Sequence, residues 1–480
     1  MSNILQVNNY AKFKQLTNRD IRQLGPLVHD IEEFTSTASQ TVLNLTKIVC
    51  NLSQKSIVQV YVDGKLLREG SGNDYQWTGV SGGQSSQITF EYALPADLNI
   101  IVYRIGASAQ SVPNVNSFQA NLNTQRLELD QKDNQNGVIN GSFDYWQRGT
   151  SFAAIVNGAY SADRWGYGKT GAMIHTISRS TDVPTDAFGQ YSMLIDCTTA
   201  DASIAAGDYS KVSQKIEGNF FRRFKDKKIV MKFWVKATKT GISCVSFRNN
   251  AGNRSLVKEY TINASNTWEQ KTIRFTHDSS GTWLYNNGNG MWLEFILTAG
   301  STYQSVSDTW QNGLFFATSN QVNHCDNVAN DFQLADVHFC IDNEDQTKNP
   351  EFQLAGRDLF EELQLCQRYY EKSYAVDEYP GDNTLNANAF AQATASGTAS
   401  TSGDAGVIIP IQFKVTKRVS PTVTPYSVTG AINTMRYISG SSDIAAVTNT
   451  INTNSATIRN NAAAVDQRVY GVHFIAEAEL

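Results

Sequence analysis

Asn140-Gly141-Ser142-Phe143-Asp144-Tyr145-Trp146-Gln147-Arg148-Gly149, followed by Tyr160-Ser161-Ala162-Asp163-Arg164-Trp165, interleaves large aromatic side chains with Arg and Asp at fixed short offsets. The surrounding sequence is β-like, so flat rings lie beside groups able to hold them by ion pairing or by a cation over a ring face. We read the stretch as the opening of a β-sandwich rather than as a catalytic loop.

Composition agrees. A chain of 480 residues exceeds one hydrophobic core, and roughly 150 residues per domain gives about three domains. Charged residues are 18% and aromatic residues 11%, with Asn, Ser, Thr and Gly abundant, which favours turns and short strands over long surface helices. Lys and Arg total 40 against 45 Asp and Glu, a net charge of −5 without a concentrated basic stripe, so we expect no nucleic-acid partner. The locally basic Arg222-Arg223-Phe224-Lys225-Asp226-Lys227-Lys228 reads as a solvated turn before a strand. No apolar run approaches the roughly 20 residues that cross a bilayer, and Met1-Ser2-Asn3-Ile4-Leu5-Gln6 lacks the regions of a signal peptide. We therefore expect a protein made in a cytosol, soluble and without membrane insertion. Cys50, Cys197, Cys244, Cys325, Cys340 and Cys366 are scattered with no C-x-x-C pair, and we expect them reduced and mostly buried.

Residues 1–33 carry apolar positions partly at helical spacing and read as an N-terminal attachment segment. Residues 34–106 read as a small β-sandwich: Val58, Val60 and Val62 alternate with Gln59 and Tyr61 before Asp63-Gly64, a strong hairpin marker. In residues 107–136, Val115, Phe118, Leu122, Gln125 and Leu129 fall at 3-4-3-4 spacing, either the stalk of an oligomer or an ordinary helix on a neighbouring domain. Residues 137–347 hold the jelly-roll pattern. Within it Ile229, Met231, Phe233 and Val235 point one way and Lys232, Trp234 and Lys236 the other, while Met291 to Leu297 reads as a deeply buried strand. Residues 348–373 form an amphipathic connector helix with Leu359, Leu363, Cys366 and Tyr370 on one face, and 374–480 a C-terminal β-domain.

Several of these stretches resemble bacteriophage tail-fibre and related virion proteins with a galactose-binding-like, carbohydrate-module-type jelly roll. There N-G-x-F-x-x-W-Q-R-G precedes A-D-R-W, as at Asn140–Gly149 and Ala162–Trp165. The later runs match at Gln214-Lys215-Ile216-Glu217-Gly218, Phe233 to Ala237, Asn266-Thr267-Trp268 and Phe332-Gln333-Leu334-Ala335-Asp336-Val337. Phe34 to Ala96 is similar to the family's virion-proximal sandwich, Glu362 to Ser373 to its E-L-x-L-C-Q-R-Y-Y-E-K-S connector, and Thr416 to Val423 with Ala476 to Leu480 to its terminal domain. The resemblance implies a mainly β fold, several β-sandwich or jelly-roll domains in series with a short helical stalk and one connector helix. It implies a tail fibre in the virion, made in the host bacterial cytoplasm, joined through its N-terminal region to tail, adaptor or portal-vertex proteins. It further implies a homotrimer that binds a bacterial surface glycan, and leaves open one structural calcium held by loop oxygens. A head, neck or collar fibre without receptor binding, and a glycan-degrading tailspike, are the alternatives.

Local catalytic motifs are missing from the sequence. His29, His175, His277, His324, His338 and His473 form no H-x-x-x-H or H-E-x-x-H, and no G-x-S-x-G elbow or P-loop occurs. The acids Asp144, Asp163, Glu217, Glu294 and Asp336 are read as turn residues or as partners of Arg148 and Arg164, so we expect no enzyme and no cofactor. For sugar binding, where rings meet C–H faces and amides meet hydroxyls, the candidates are Tyr145, Trp165, Tyr167, Trp283, Tyr285, Asn286 and Asn287. Trp146, Trp234 and Trp292 are assigned to the core or to inter-sheet packing.

Overall fold

A two-residue hairpin turn needs positive φ at both central positions, and Asp63-Gly64 supplies 47° and 80°. In the computed structural model this pair joins the antiparallel strands Val58–Val62 and Lys65–Leu66. The structure describes residues 28–53, 58–105, 135–342, 357–383, 391–395, 407–438, 441–460 and 468–480. The chain forms two compact units, residues 1–122 and 123–480.

In the first unit the described strands are β1 (Val28–Thr35), β2 (Gln40–Asn44), β3 (Cys50–Asn51), β4 (Val58–Val62), β5 (Lys65–Leu66), β6 (Tyr75–Thr78), β7 (Gln84–Ser85), β8 (Gln87–Leu94) and β9 (Asn99–Ile105). Sheets of order β1-β9-β4-β5 and β2-β8-β6 enclose Val58, Val60, Ile88, Phe90, Ile100 and Val102. One boundary needs correction: β1 begins at Val28, so the sheet takes in residues 28–33, expected in the attachment segment. The reason is Glu32, whose buried carboxylate accepts the backbone N–H groups of Thr46, Lys47 and Ile48 at 2.7, 2.6 and 2.6 Å. The stalk residues Val115, Phe118, Leu122 and Leu129 lie outside the described residues.

The second unit opens with β10 (Ser151–Phe152), β11 (Trp165–Thr170), β12 (Ile174–Ser180), β13 (Ser192–Thr199), β14 (Tyr209–Glu217) and the single turn α1 (Gly218–Phe221). There follow β15 (Lys228–Ala237), β16 (Gly241–Arg248), β17 (Arg254–Ile262), β18 (Glu269–Thr276), β19 (Asn289–Ala299), β20 (Gln311–Asn312) and β21 (Asp331–Ile341). Two antiparallel sheets result, β10-β12-β13-β21-β15-β18 and β11-β14-β19-β16-β17-β20. Ile229, Met231, Phe233 and Val235 enter the core between them as expected, where Phe233 meets Phe295 at 5.0 Å. The protein is mainly β, built of sandwich and jelly-roll layers. All six cysteines are buried thiols.

The connector differs from expectation. The helix α2 (Leu359–Gln367) starts on an Asp358/Glu361 capping box and ends early. Tyr370–Lys372, expected inside it, is instead strand β22, paired with β30 (Arg468–Glu477). The helix buries Glu362, Cys366 and Gln367, whereas Leu359 is 42% exposed. The buried side is displaced because Glu362 pairs with buried Arg357 at 3.1 Å and accepts the Asn140 N–H. The remaining described strands are β23 (Ala391–Ala395), β24 (Ile408–Gln412), β25 (Thr422–Tyr426), β26 (Thr434–Tyr437), β27 (Ser442–Ala445), β28 (Val447–Asn449) and β29 (Ser455–Arg459). β30 is their hub, pairing with β22, β23, β25 and β26.

Three distant stretches converge where this part meets the jelly roll. Arg148 lies 3.7 Å from the centre of the Tyr370 ring and bonds Glu477 and Glu479 at 3.1 Å each. Arg164 lies 3.5 Å from the centre of the Tyr369 ring and pairs with Glu479. Arg368 clasps buried Glu217 at 2.8 and 2.9 Å, and Tyr369 donates to the same carboxylate at 2.6 Å. Burying charges is costly unless they are paired and hydrogen-bonded, and here each guanidinium has both an acid and an aromatic face or carbonyl. The opening stretch, the connector and the last residues thus form one seam.

Candidate ligand-binding cleft

Alternation along a strand sends every second side chain out of the sandwich. On the sheet β11-β14-β19-β16 the residues Val212, Leu293, Phe295, Val245 and Phe247 face the core. Their neighbours Lys211, Ser213, Lys215, Trp292, Glu294, Ser246 and Arg248 form the opposite face. Register lines them up in rows: Lys215, Trp292 and Arg248 are opposed in one, and Gly166, Ser213, Glu294 and Ser246 in the next. Along one part of this face Phe316 covers Cys244, Val257 and Ile296, stacking on Tyr303 at 4.8 Å.

Beside that cover a cleft of about 170 Å³ remains, lined by Asn157, Gly158, Tyr160, Gly166, Gly168, Tyr209, Lys211, Ser213, Lys215, Arg248 and Trp292, with Tyr167 beneath. Small residues keep its floor low, since a Cβ at Gly168 would meet Lys211 Cε at 3.3 Å. Trp292 is half-buried and framed by cations: Arg248 at 4.0 Å, Lys215 at 4.7 Å and Lys211 at 5.8 Å from its ring centre. The Leu480 main-chain oxygen, brought here by the seam, accepts from Tyr160 at 3.2 Å and from Lys215 Nζ, closing one end.

Glu294 organises the cations. It accepts Lys211 Nζ at 2.7 Å, Arg248 Nε and Nη2 at 3.0 Å each, and Ser246 Oγ at 3.1 Å. Burial alone would raise its pKa, yet Arg248 and Lys211 bring it down to about 2. Lys211 is brought down to about 8, chiefly by burial, with Arg248 acting the same way and Glu294 against it. Lys215 is lowered by burial and then by Arg164, with Arg248 and Arg418 adding to it.

Of the residues expected to bind sugar, Tyr167 lines this cleft from beneath and the others lie elsewhere. Trp165 is fully buried, 5.1 Å from Phe143 and 6.1 Å from Phe295. Tyr167 is buried beneath the cleft, its hydroxyl bonded to His175 Nδ1 at 2.7 Å. Trp283 is buried against His277. Their rings are not offered to a ligand, because the β11 alternation and the turn after β18 direct them inward. Tyr145 is half-buried and donates to the Leu359 carbonyl. Tyr285 stacks on Phe221, Asn286 holds the Gly288 N–H at 2.9 Å, and the Asn287 carbonyl accepts from Arg418 at 2.9 Å, so these serve loops and the seam. Trp146 is in the core as assigned, but Trp292 is not. The missed signal was the outward half of the alternation, Lys211-x-Ser213-x-Lys215, Trp292-x-Glu294 and Ser246-x-Arg248.

Among the described residues no three His, Cys, Asp or Glu side chains gather as a metal group. Two acids do approach. Asp336 accepts the Phe188 and Gly189 N–H groups at 2.5 and 2.9 Å, and Asp144 the Gln190 N–H at 3.3 Å. Burial, with Asp144 adding to it, pushes Asp336 up to about 6.

No protein-family model matches the sequence, and no curated protein does. Among solved structures the chain is similar to the enzymatically active domain of tailspike protein 4 of bacteriophage CBA120, with 14% identity over 40% of this chain and a TM-score of 0.23. It spans 21% of that chain's length. A family 11 carbohydrate-binding module of Clostridium thermocellum matches with 11% identity over 40% of this chain and 94% of its own, TM-score 0.22. A family 22 module of the same organism matches with 12% identity over 39% and 98%, TM-score 0.23. At such scores fold and function rest on the chain's own residues.

Proposed function

We propose that the chain is a bacteriophage tail fibre that attaches the virion to its host by binding a cell-surface glycan in the cleft around Trp292. The observation that carries this reading is the row Lys215, Trp292, Arg248: a half-buried indole with both cations over its ring, so that its remaining surface and their N–H groups meet the cleft together above a floor of Gly and Ser. Sugars offer C–H faces to rings and hydroxyls to donors, and such sites combine an apolar platform with a few convergent polar groups. The virion assignment is supported by the tail-fibre motifs, three of which meet in the seam. In this reading the N-terminal unit joins other virion proteins and the chains form a trimer. Weak sites then act together, with avidity exceeding single-site affinity by roughly 10²–10⁴.

The site works by holding rather than by cleaving. Three of the five acids singled out in the sequence are held in ion pairs: Asp163 with Arg148, Glu217 with Arg368, and Glu294 with Lys211 and Arg248; Asp144 and Asp336 accept backbone N–H groups instead. A structural calcium stays part of the proposal, with no ligand group formed for it among the described residues. Calcium is then expected to raise the thermal midpoint and a chelator to lower it, and an unchanged midpoint removes it.

The test of the main reading is adhesion to intact host cells. The purified protein is expected to be oligomeric at micromolar concentration and to bind cells, and Trp292→Ala to lose that binding while keeping its thermal midpoint. A monomer that binds no cells would leave a structural head, neck or collar fibre. Release of reducing ends from host polysaccharide would mean a tailspike enzyme.

A further inference from the structure

We propose that the sugar taken by this cleft carries an acid group, a ring carboxylate as in a uronic acid, held by Lys215 and Arg248 beside Trp292. The inference rests on reading the cleft as a glycan site and adds the chemical class of glycan.

The charges do not balance. Three cations, Lys211, Lys215 and Arg248, line the cleft. Among the described residues Glu294 is the acidic side chain bonded to any of them, and it is fully buried with both oxygens occupied by Lys211, Arg248 and Ser246. It answers Lys211 and Arg248 together. Lys215 meets the Leu480 main-chain oxygen. Glu479, which acts on Lys215 at longer range, is already held by Arg148 and Arg164, so the cationic side keeps the surplus.

The donors are also placed for an incoming acid. Arg248 spends Nε and Nη2 on Glu294, which leaves Nη1 uncommitted to that carboxylate in a residue that lines the cleft. The shared row sets Arg248 and Lys215 on opposite sides of Trp292, both over its ring at 4.0 and 4.7 Å from the centre, so a ligand that meets the indole in the cleft has a cation at each side. A guanidinium fork suits a planar carboxylate, and charge-assisted hydrogen bonds are about twice as strong as neutral ones. A neutral sugar would leave the surplus charge desolvated and unanswered. The size agrees: about 170 Å³ lies well below the roughly 300–1,000 Å³ of sites that engulf larger ligands, and takes a single ring or a chain end.

The full-length protein is titrated by calorimetry with glucuronate- and galacturonate-containing oligosaccharides, each beside its carboxyl-reduced counterpart and a sulfated neutral one. At least one acidic member is expected to bind about tenfold or more tightly than its reduced form, an advantage that shrinks as salt is raised. Lys215→Gln is expected to remove most of that advantage with the thermal midpoint unchanged, because Lys215 is only half-buried and its partner is a main-chain oxygen. Reduced forms that bind as tightly as the acids overturn the acid-group inference and leave the glycan reading standing. Preference for the sulfated member overturns the carboxylate. If no oligosaccharide binds and Trp292→Ala leaves cell adhesion unchanged, the glycan reading falls and this inference with it.

Discussion

A Cβ on Gly141 would stand 2.1 Å from the Val337 carbonyl oxygen, so the glycine of the opening stretch is set by contact with a strand nearly two hundred positions on. Gly141→Ala must shift backbone, and we expect a loss of about 3 kcal/mol or more in urea unfolding. Gly207→Ala, with nothing within 4 Å of the added carbon, should stay within about 0.5 kcal/mol. The two tryptophans at issue separate in the same way. Trp165→Ala empties core beside Phe143 and Phe295 and should cost about 3–5 kcal/mol. Trp292→Ala should leave stability nearly intact and remove ligand binding. Equal stability losses for both would contradict the inward and outward assignment.

Among the elements, the seam holds the charges that the protein can least lose. Glu479 serves half-buried Arg148 and fully buried Arg164, while its own main-chain oxygen is held by Arg418 at 2.7 Å. Glu479→Ala strands two guanidiniums short of an acid, and we expect a loss of about 3–5 kcal/mol. Removing the Asp358 cap of α2 by Asp358→Ala should cost about 1 kcal/mol. Phe360→Ala, 78% exposed on that helix, should change little. A Glu479→Ala protein as stable as the parent would show that the seam is a contact of convenience. Because Leu480 closes one end of the cleft, the same substitution is also expected to loosen ligand binding.

For the molecule as a whole, pH reports the buried histidines. His175 and His324 are each held down to about 4, burial being the main cause. An unfolded imidazole titrates near pH 6.5, so between about pH 6.5 and 4 the unfolded chain binds protons that the folded chain refuses. Stability therefore rises with pH across this window, by up to about 3 kcal/mol for each histidine. Asp336 works the other way: raised to about 6, it contributes stability below about pH 4 that is lost as pH climbs through 6. Burial raises Asp144, Asp163, Asp331 and Glu362 as well and lowers His277 and His473, so the histidine contribution is read by difference: between pH 4.5 and 6.5 the thermal midpoint of His175→Asn should rise less, or fall more, than that of the parent. A variant with the parent's pH dependence would contradict the sign.

Local pattern determined the sandwich layers: period-two alternation names the inward face of β15, and Asp63-Gly64 names the turn between β4 and β5, because both depend on neighbours within a few residues. It also marked Arg148 and Arg164 as ion-paired, with Arg148 meeting Asp163 at 3.8 Å as read. Tertiary structure decided the rest. Alternation states that two faces differ without saying which one meets a second sheet, so Trp165 and Tyr167 were read outward and Trp292 inward, the reverse of their places. The partner of Arg164 lies at Glu479, and the end of the connector helix was set by β22 pairing with β30. The cleft exists because strand register aligns Lys215, Trp292 and Arg248 from three separate strands. Such cross-strand neighbours are joined by sheet hydrogen bonds rather than by sequence proximity, and only the folded chain brings them together.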